Sequence, residues 1–289
     1  MEFWFFLAGL TVFFWGLAVV FAKISTPKLG VARVAYLISS IEGVMYFAGY
    51  ISFRSNVAVS LEYGALGLAS AFVGMIAYIC FYESMVDGQV AIIGTISAAY
   101  PALTVIGALV FFSETLTTLQ ALGLAAVIIG ILALSYERPN LKHAIPKRSM
   151  LFAFLAFLLW GLWSLTAKVA LNQIGPGNVF GCYVISSLTV PLIYVMLRKP
   201  RPELMTIEEP SRSFWAAGVA GIVLNAAGTL IFAFALSMGQ ASLVVPIASA
   251  YPLVTVTIAI LLLGEKLNRL QMIALASVII GLITIGITS

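Results

Sequence analysis

Long apolar runs separated by short polar breaks divide the chain into ten segments. They lie at 3–21, 31–53, 62–82, 89–112, 119–136, 150–170, 178–197, 214–236, 240–262 and 270–288. Each run is continuous and close to the roughly 20 apolar residues that a helix needs to cross a bilayer. Strands of a membrane β-barrel would instead alternate in polarity over about ten residues. The pattern therefore predicts an all-α membrane protein with ten transmembrane helices.

The composition excludes the soluble classes of protein. Hydrophobic residues make up 62% of the 289 residues and charged residues only 9%, whereas soluble domains carry roughly 45–50% and about 25%. A soluble fold with this composition has no means of covering its surface, which excludes cytosolic enzymes, nucleic-acid binders and secreted disulfide-rich domains. We expect a multi-pass protein of the cell membrane. The first segment lacks a basic start and a cleavage site, so we expect a retained helix.

The two halves of the chain repeat one another. The recurring motifs are Trp15-Gly16 with Trp160-Gly161, Tyr100-Pro101 with Tyr251-Pro252, Glu114 and Leu116 with Glu265 and Leu267, and Gly130 with Gly281. Each half holds five segments, an odd number, so the two halves must insert with opposite orientation. The sequence predicts two inverted five-helix repeats, 1–137 and 149–289, joined by a basic linker at 138–148. Inverted repeats are typical of secondary transporters.

At these residues the chain resembles the drug/metabolite transporter superfamily, of the ten-helix EamA type. The resemblance rests on the paired Trp-Gly starts, the paired Glu-x-Leu turns and the Gly-closed last helices of each half, and it extends over nearly the whole chain. It implies alternating access between two five-helix bundles, without an ATP-binding part. Members of the superfamily move amino acids, nucleotide sugars, purines, sugar phosphates, quaternary amines and drugs, so the resemblance does not fix a substrate.

Glu42 is the most informative single residue, because it lies near the centre of the second segment. A carboxylate at the bilayer centre costs about 2.5–3.5 kcal/mol on insertion scales, and such groups usually face the bundle interior or a water-filled cavity. There it can couple a proton to transport or neutralise a cationic substrate. The alternative is a permanently protonated glutamate that hydrogen-bonds a neighbouring helix. We predict the functional role, with Tyr46 on the same helical face.

Aromatic and polar side chains inside other segments are predicted to line a substrate cavity. Tryptophan usually prefers the membrane interface, so a tryptophan near the midplane can serve to stack on a ring or to hold a cation. The predicted lining residues are Trp15, Tyr46, Tyr78, Tyr82, Tyr100, Trp160, Trp163, Asn225 and Tyr251. Packing or hydrogen bonding between helices is the alternative for each of them.

Three prolines interrupt the fourth and ninth segments, and we predict that they act as hinges. They are Pro101, Pro246 and Pro252. Proline removes a backbone donor and kinks a helix, and interrupted helices in corresponding places of two repeats point to a transport site. A static kink is the alternative.

Charged residues near the segment ends are predicted to have structural roles. Glu114 and Glu265 fall in tight turns, where we expect each to cap the start of the helix that follows. Lys23 and Lys168 are expected to extend from their helix ends toward the interface.

The expected function is secondary active transport of small organic solutes, in the direction of export, with protons as the candidate coupling ion. Amino acids or organic amines are the leading substrates, and neutral nucleosides, bases or sugar derivatives are the alternative. A channel or a membrane receptor is a less favoured class. The sequence contains no Gly-x-Ser-x-Gly elbow, Walker loop or His-x-x-x-His pair, so we expect no enzyme, no metal and no cofactor.

The expected partners are the small-molecule substrate and the lipid bilayer, with no nucleic acid, and the expected state is a monomer or a weak dimer. Nearly all Lys and Arg residues fall on the side of the membrane that holds the linker 138–148. The positive-inside rule places that side in the cytoplasm and both termini outside. The family resemblance implies the opposite orientation, so the sequence leaves this point open.

Overall fold

A computed structural model of the chain describes residues 2–55, 59–87, 96–135, 147–197, 209–263 and 268–288. Within these ranges the regular structure is helical and contains no strand. The helices are Phe3–Leu37, a π-helical turn Ile38–Glu42, Gly43–Phe53, Leu61–Asp87, Tyr100–Phe111, Thr118–Ser135, Lys147–Leu197, Arg212–Met238, Ala241–Ala248, Pro252–Leu263 and Arg269–Thr288. The predicted all-α membrane fold is confirmed.

Two of the helical stretches each contain two membrane spans. Phe3–Phe53 and Lys147–Leu197 are both 51 residues long, which would be about 77 Å if straight, far more than one bilayer crossing requires. A glycine with positive φ kinks each of them, at 76° for Gly30 and 77° for Gly175. Residues with a Cβ atom avoid this conformation. With these two kinks, the apolar helices of the described residues make up the ten predicted spans, numbered here in chain order.

Two of the predicted segments, spans 1 and 3, end too early. The helix of span 1 continues through Lys23 and Pro27 as far as Leu29, and the helix of span 3 continues through Glu83 to Asp87. The predictions ended each segment at the first charged residue. Lys23 is exposed, and a long charged side chain at a span end can reach the interface while its backbone stays helical.

The two halves are interleaved in space. Span 3 packs against the kinked helix of spans 6 and 7, the helix of spans 1 and 2 packs against span 8, and span 5 packs against span 10. In the last pair, a Cβ atom on Gly281 would come within 2.5 Å of the Gly123 carbonyl oxygen, and one on Gly123 within 3.0 Å of the Gly281 carbonyl oxygen. Such small residues let two backbones approach closely in a membrane. Each of these three helix contacts therefore joins one half to the other.

Candidate functional site

A cavity of about 840 Å³, its open mouth included, lies among spans 1 to 4 and 6 to 9. The lining residues come from both halves and from the middle part of most of these spans. Spans 5 and 10, which pack on each other, contribute none of them. The cavity is therefore bounded by both repeats.

Nine of the ten residues predicted for substrate or proton binding line this one cavity. They are Trp15, Glu42, Tyr46, Tyr78, Tyr100, Trp160, Trp163, Asn225 and Tyr251. Tyr82 is not among the lining residues. Its side chain is buried, with its hydroxyl 3.1 Å from that of Tyr78. The role of each residue in binding stays a prediction.

Sequence reasoning missed part of the lining. The missed lining residues are Val19, Ala71, Gly74, Met75, Phe81, Tyr183 and Ser186. Thr229, which lies one turn after Asn225 on span 8, also lines the cavity. A signal was present for those of span 3, because Ala71, Gly74, Met75, Tyr78 and Phe81 recur at intervals of three and four, as one face of a helix does. Nothing comparable marks Tyr183, whose ring centroid lies 5.5 Å from that of Tyr46.

Repeat-equivalent residues make equivalent contacts around the cavity. The ring of Trp15 lies 6.5 Å from that of Tyr251, and the ring of Trp160 lies 5.6 Å from that of Tyr100, centroid to centroid. Each pair joins one half of the chain to the other. The aromatic part of the cavity thus follows the internal repeat.

The Glu42 carboxyl breaks this symmetry. Glu42 ends the π-helical turn Ile38–Glu42, is 1% exposed, and accepts a hydrogen bond of 2.9 Å from Asn225 Nδ2. Single π-helical turns within α-helices are frequent at functional sites. Among the described residues no Lys, Arg or His side chain lines the cavity, and no three His, Cys, Asp or Glu side chains lie close enough to hold a metal ion. The site therefore presents one carboxyl without a positively charged partner.

A chain of hydrogen bonds connects this carboxyl to the neighbouring spans. The Thr229 hydroxyl donates to the Asn225 carbonyl oxygen at 3.0 Å, and Trp15 Nε1 donates to Thr229 Oγ1 at 3.4 Å. Together with the bond from Asn225 to Glu42, these contacts join spans 1, 2 and 8. One side of the cavity is thus polar and internally hydrogen-bonded.

Glycines on neighbouring helices set the positions of two cavity tryptophans. A Cβ atom on Gly74 would lie 2.6 Å from Trp163 Cδ1, and one on Gly228 would lie 2.5 Å from Trp15 Cδ1. Both indoles also pack against Phe232, at centroid distances of 5.5 Å for Trp163 and 5.1 Å for Trp15. Each indole therefore packs between the Phe232 ring and the backbone of a glycine on a neighbouring helix.

We expect Gly74→Ala to displace Trp163 and to lower the melting temperature of the purified protein. A methyl group forced into a filled contact typically costs about 1–3 kcal/mol. Gly9→Ala is the matched control, because a Cβ atom at Gly9 would meet no atom within 4 Å. Thermal unfolding in detergent and the tryptophan emission spectrum test the expectation. Equal melting temperatures and spectra for the two variants would contradict it.

Spans 4 and 9 are both interrupted near the middle of the membrane. Span 9 consists of the helices Ala241–Ala248 and Pro252–Leu263 with a turn between them, and in span 4 a turn at Ala99 precedes the helix Tyr100–Phe111. The hydroxyls of Tyr100 and Ser249 lie 2.6 Å apart and join the two interruptions.

The three predicted hinge prolines lie in or beside these interruptions. Pro101 and Pro252 stand in the first turns of the helices that follow them, and Pro246 lies within Ala241–Ala248. The amides of Leu253 and Val254 are hydrogen-bonded to carbonyl oxygens within the turn. Movement at these prolines stays a prediction.

Glu114 caps a helix start, but not the one predicted. Its carboxylate accepts hydrogen bonds from the Ala241 and Ser242 amides, both at 2.8 Å, and from the Ser242 hydroxyl at 2.6 Å. These residues begin span 9 of the other half. The helix after the Glu114 turn has its own cap, because Thr117 and Gln120 hydrogen-bond each other's backbone amides. Glu265, the repeat-equivalent acid, lies outside the described residues.

Lys168 binds a helix end instead of extending toward the interface. Its Nζ donates to the carbonyl oxygens of Leu236 at 2.8 Å and Gly239 at 2.9 Å, where the helix Arg212–Met238 ends. The last carbonyls of a helix are unpaired and carry partial negative charge, so they attract a cation. Lys168 and Glu114 thus hold the two helix ends that flank the turn between spans 8 and 9.

Comparisons with known proteins identify the family of the chain. The sequence pattern of the EamA-like transporter family matches residues 2–136 and 147–287. A probable amino-acid metabolite efflux pump of Salmonella typhimurium is 28% identical over 291 residues, which cover 96% of this chain and 92% of the relative. An uncharacterised protein of Methanocaldococcus jannaschii is 28% identical over 141 residues, 49% of this chain and 98% of its own.

The fold also has a counterpart among solved structures. One crystal structure superposes with a TM-score of 0.74 at 14% sequence identity, covering 99% of this chain and 96% of the other. At that identity the likeness concerns the fold alone. The family match, in contrast, spans nearly the whole chain in two copies. The chain therefore belongs to the EamA-like transporter family, within the drug/metabolite transporter superfamily, and is a multi-pass membrane protein.

Proposed function

We propose that the protein is a secondary active exporter that exchanges protons for a small organic solute, an amino acid or an organic amine. The observation that carries the proposal is the buried Glu42 carboxyl in a cavity bounded by both halves. A site between two repeats near the midplane is where alternating access can expose a solute first to one side and then to the other. The relative described as a probable amino-acid metabolite efflux pump supports both the direction and the solute class.

Glu42 is the group that we assign to proton exchange. A bare carboxylate is costly at this depth, and either a proton or a cationic substrate removes its net charge. The two cannot occupy the carboxyl together, so they compete for it. Competition of this kind couples the flux of protons to a flux of solute in the opposite direction, because the site changes its side of access only with a proton or a solute molecule bound. An inward proton gradient then drives the solute outward.

Transport into proteoliposomes with an acidic interior tests the proposal. Labelled L-lysine, L-phenylalanine and phenyltrimethylammonium would be supplied outside, and the last of these carries a permanent charge that prevents passive trapping. We expect at least one of them to accumulate above its external concentration, and an uncoupler to collapse the accumulation. Vesicles without protein are the control. If a probe only equilibrates across the membrane and the uncoupler does not change this, the result would indicate a channel. The absence of protein-dependent movement of every probe would contradict the proposal.

A further inference from the structure

The charge balance of the cavity limits what it can bind. Among the described residues, Glu42 is the one acidic residue that lines the cavity, and no basic side chain lines it. The corresponding part of the second half contributes Ser186, a neutral residue. The ammonium group of a bound solute can form an ion pair with the Glu42 carboxylate. A carboxylate on the same molecule would have no positively charged partner, and an unpaired buried charge is strongly unfavourable.

Four neutral polar groups of the lining already donate hydrogen bonds within the protein. Asn225 Nδ2 donates to Glu42, and Trp15 Nε1 donates to Thr229. The hydroxyls of Thr229 and Ser186 donate to carbonyl oxygens of their own helices, at 3.0 and 3.1 Å. A carboxylate needs several donors directed at it. Of these four groups, Asn225 Nδ2 alone has a second hydrogen left for such a bond.

The two amides that follow Pro252 in the interruption of span 9 are not free donors either. A broken helix in a transporter can direct free backbone amides at an anionic substrate group. Here the Leu253 amide donates to the Ala250 carbonyl at 2.9 Å, and the Val254 amide donates to the Tyr251 carbonyl at 3.1 Å. Pro252 has no amide hydrogen. The Leu253 and Val254 amides are therefore paired within the turn.

The remaining surface favours a cation. Nine aromatic rings line the cavity, among them those of Trp15, Tyr100, Trp160 and Tyr251. The face of an aromatic ring is the negative part of its quadrupole, which attracts an ammonium group and disfavours a carboxylate. The rings also offer apolar surface to an aryl or alkyl body.

From this combination we infer that the cavity selects organic ammonium ions that carry no carboxylate, such as arylalkylamines, over amino acids. The inference rests on the proposed function and narrows its substrate class. The Glu42 carboxylate pairs with the ammonium group, and the aromatic rings surround the apolar body. An α-carboxylate is disfavoured because, among the described residues, no lining side chain carries a positive charge to compensate its desolvation.

Four probes that share one phenyl-alkyl skeleton test the inference on the purified protein in nanodiscs. Phenethylamine and L-phenylalaninol carry an ammonium group alone, L-phenylalanine carries both charges, and 3-phenylpropionate carries a carboxylate alone. By isothermal titration calorimetry we expect the first two to bind at least about tenfold more tightly than L-phenylalanine, since an unpaired buried polar group is costly, and 3-phenylpropionate not to bind. Glu42→Gln should weaken binding of both amines, at an unchanged melting temperature.

Equal or tighter binding of L-phenylalanine would overturn the inference, and so would the absence of binding by all four probes. The outcomes also separate this inference from the proposed function. Uncoupler-sensitive accumulation of L-phenylalanine that phenethylamine does not inhibit would overturn the inference and leave proton-coupled export in place. Selective binding of the amines without accumulation of any solute would support the inference and overturn the transport mechanism.

Discussion

Glu42→Gln is expected to abolish the pH dependence of transport and to reduce gradient-driven accumulation by at least about a hundredfold, because removing one partner of a buried charge pair typically costs about 3–5 kcal/mol. Glutamine keeps the shape of the side chain, and its Oε1 atom can still accept the hydrogen bond that Asn225 donates to Glu42. It can neither take up nor release a proton. The fold should therefore survive while the coupling is lost.

Uptake into proteoliposomes over a series of pH steps, with thermal unfolding measured in parallel, tests this expectation. Glu62→Gln is the matched control, because Glu62 is an exposed acid in the first turn of span 3. The control should keep the pH profile of the unaltered protein. If Glu42→Gln also keeps that profile, then Glu42 is a structural hydrogen-bonding residue and proton exchange has to be assigned elsewhere.

Glu114→Gln is expected to produce a large loss of stability without a change in the pH profile of transport. The carboxylate accepts three hydrogen bonds at the start of span 9. Glutamine has only one acceptor oxygen, and its NH₂ group would face the backbone N–H groups of the helix, donor against donor. Charge-assisted hydrogen bonds contribute about 1.5–3 kcal/mol each, and partial exposure places this change at about 1–3 kcal/mol in total.

The melting temperature in detergent measures this effect, again beside Glu62→Gln. A melting temperature for Glu114→Gln that equals the control would show that the contact with Ala241 and Ser242 contributes nothing to stability. If transport by Glu114→Gln no longer depended on pH, Glu114 would have to be assigned to the coupling mechanism instead of a structural role. The two variants, Glu42→Gln and Glu114→Gln, thus separate coupling from stability.

Several features of the fold followed from the sequence because they depend on local properties. The length of an apolar run decides whether a helix can cross the bilayer, so the ten spans could be predicted without any knowledge of their neighbours. The span ends were less predictable. Lys23 appeared to end span 1, but the backbone kinks only at Gly30, where φ is 76°.

The candidate site could be predicted from the depth of each residue in the membrane. Each residue of a helix rises about 1.5 Å, so its position within a span gives its distance from the membrane surface. This reasoning selected Glu42, Trp15 and Trp160 as ionisable or amphipathic groups near the midplane, and all three line the cavity. Their function in binding stays a prediction.

The direction in which a side chain points, and the residue it meets, depended on the packing of helices that are distant in the sequence. Tyr78 and Tyr82 belong to the same helix, yet only Tyr78 lines the cavity. Glu114 was expected to cap the helix beside it, yet it binds Ala241 in the other half of the chain. The sequence by itself thus determined which groups lie in the membrane and at what depth, because hydrophobic length is a local property. Only the tertiary structure decided which of them meet, because interhelical contacts depend on the rotation and the neighbours of each span.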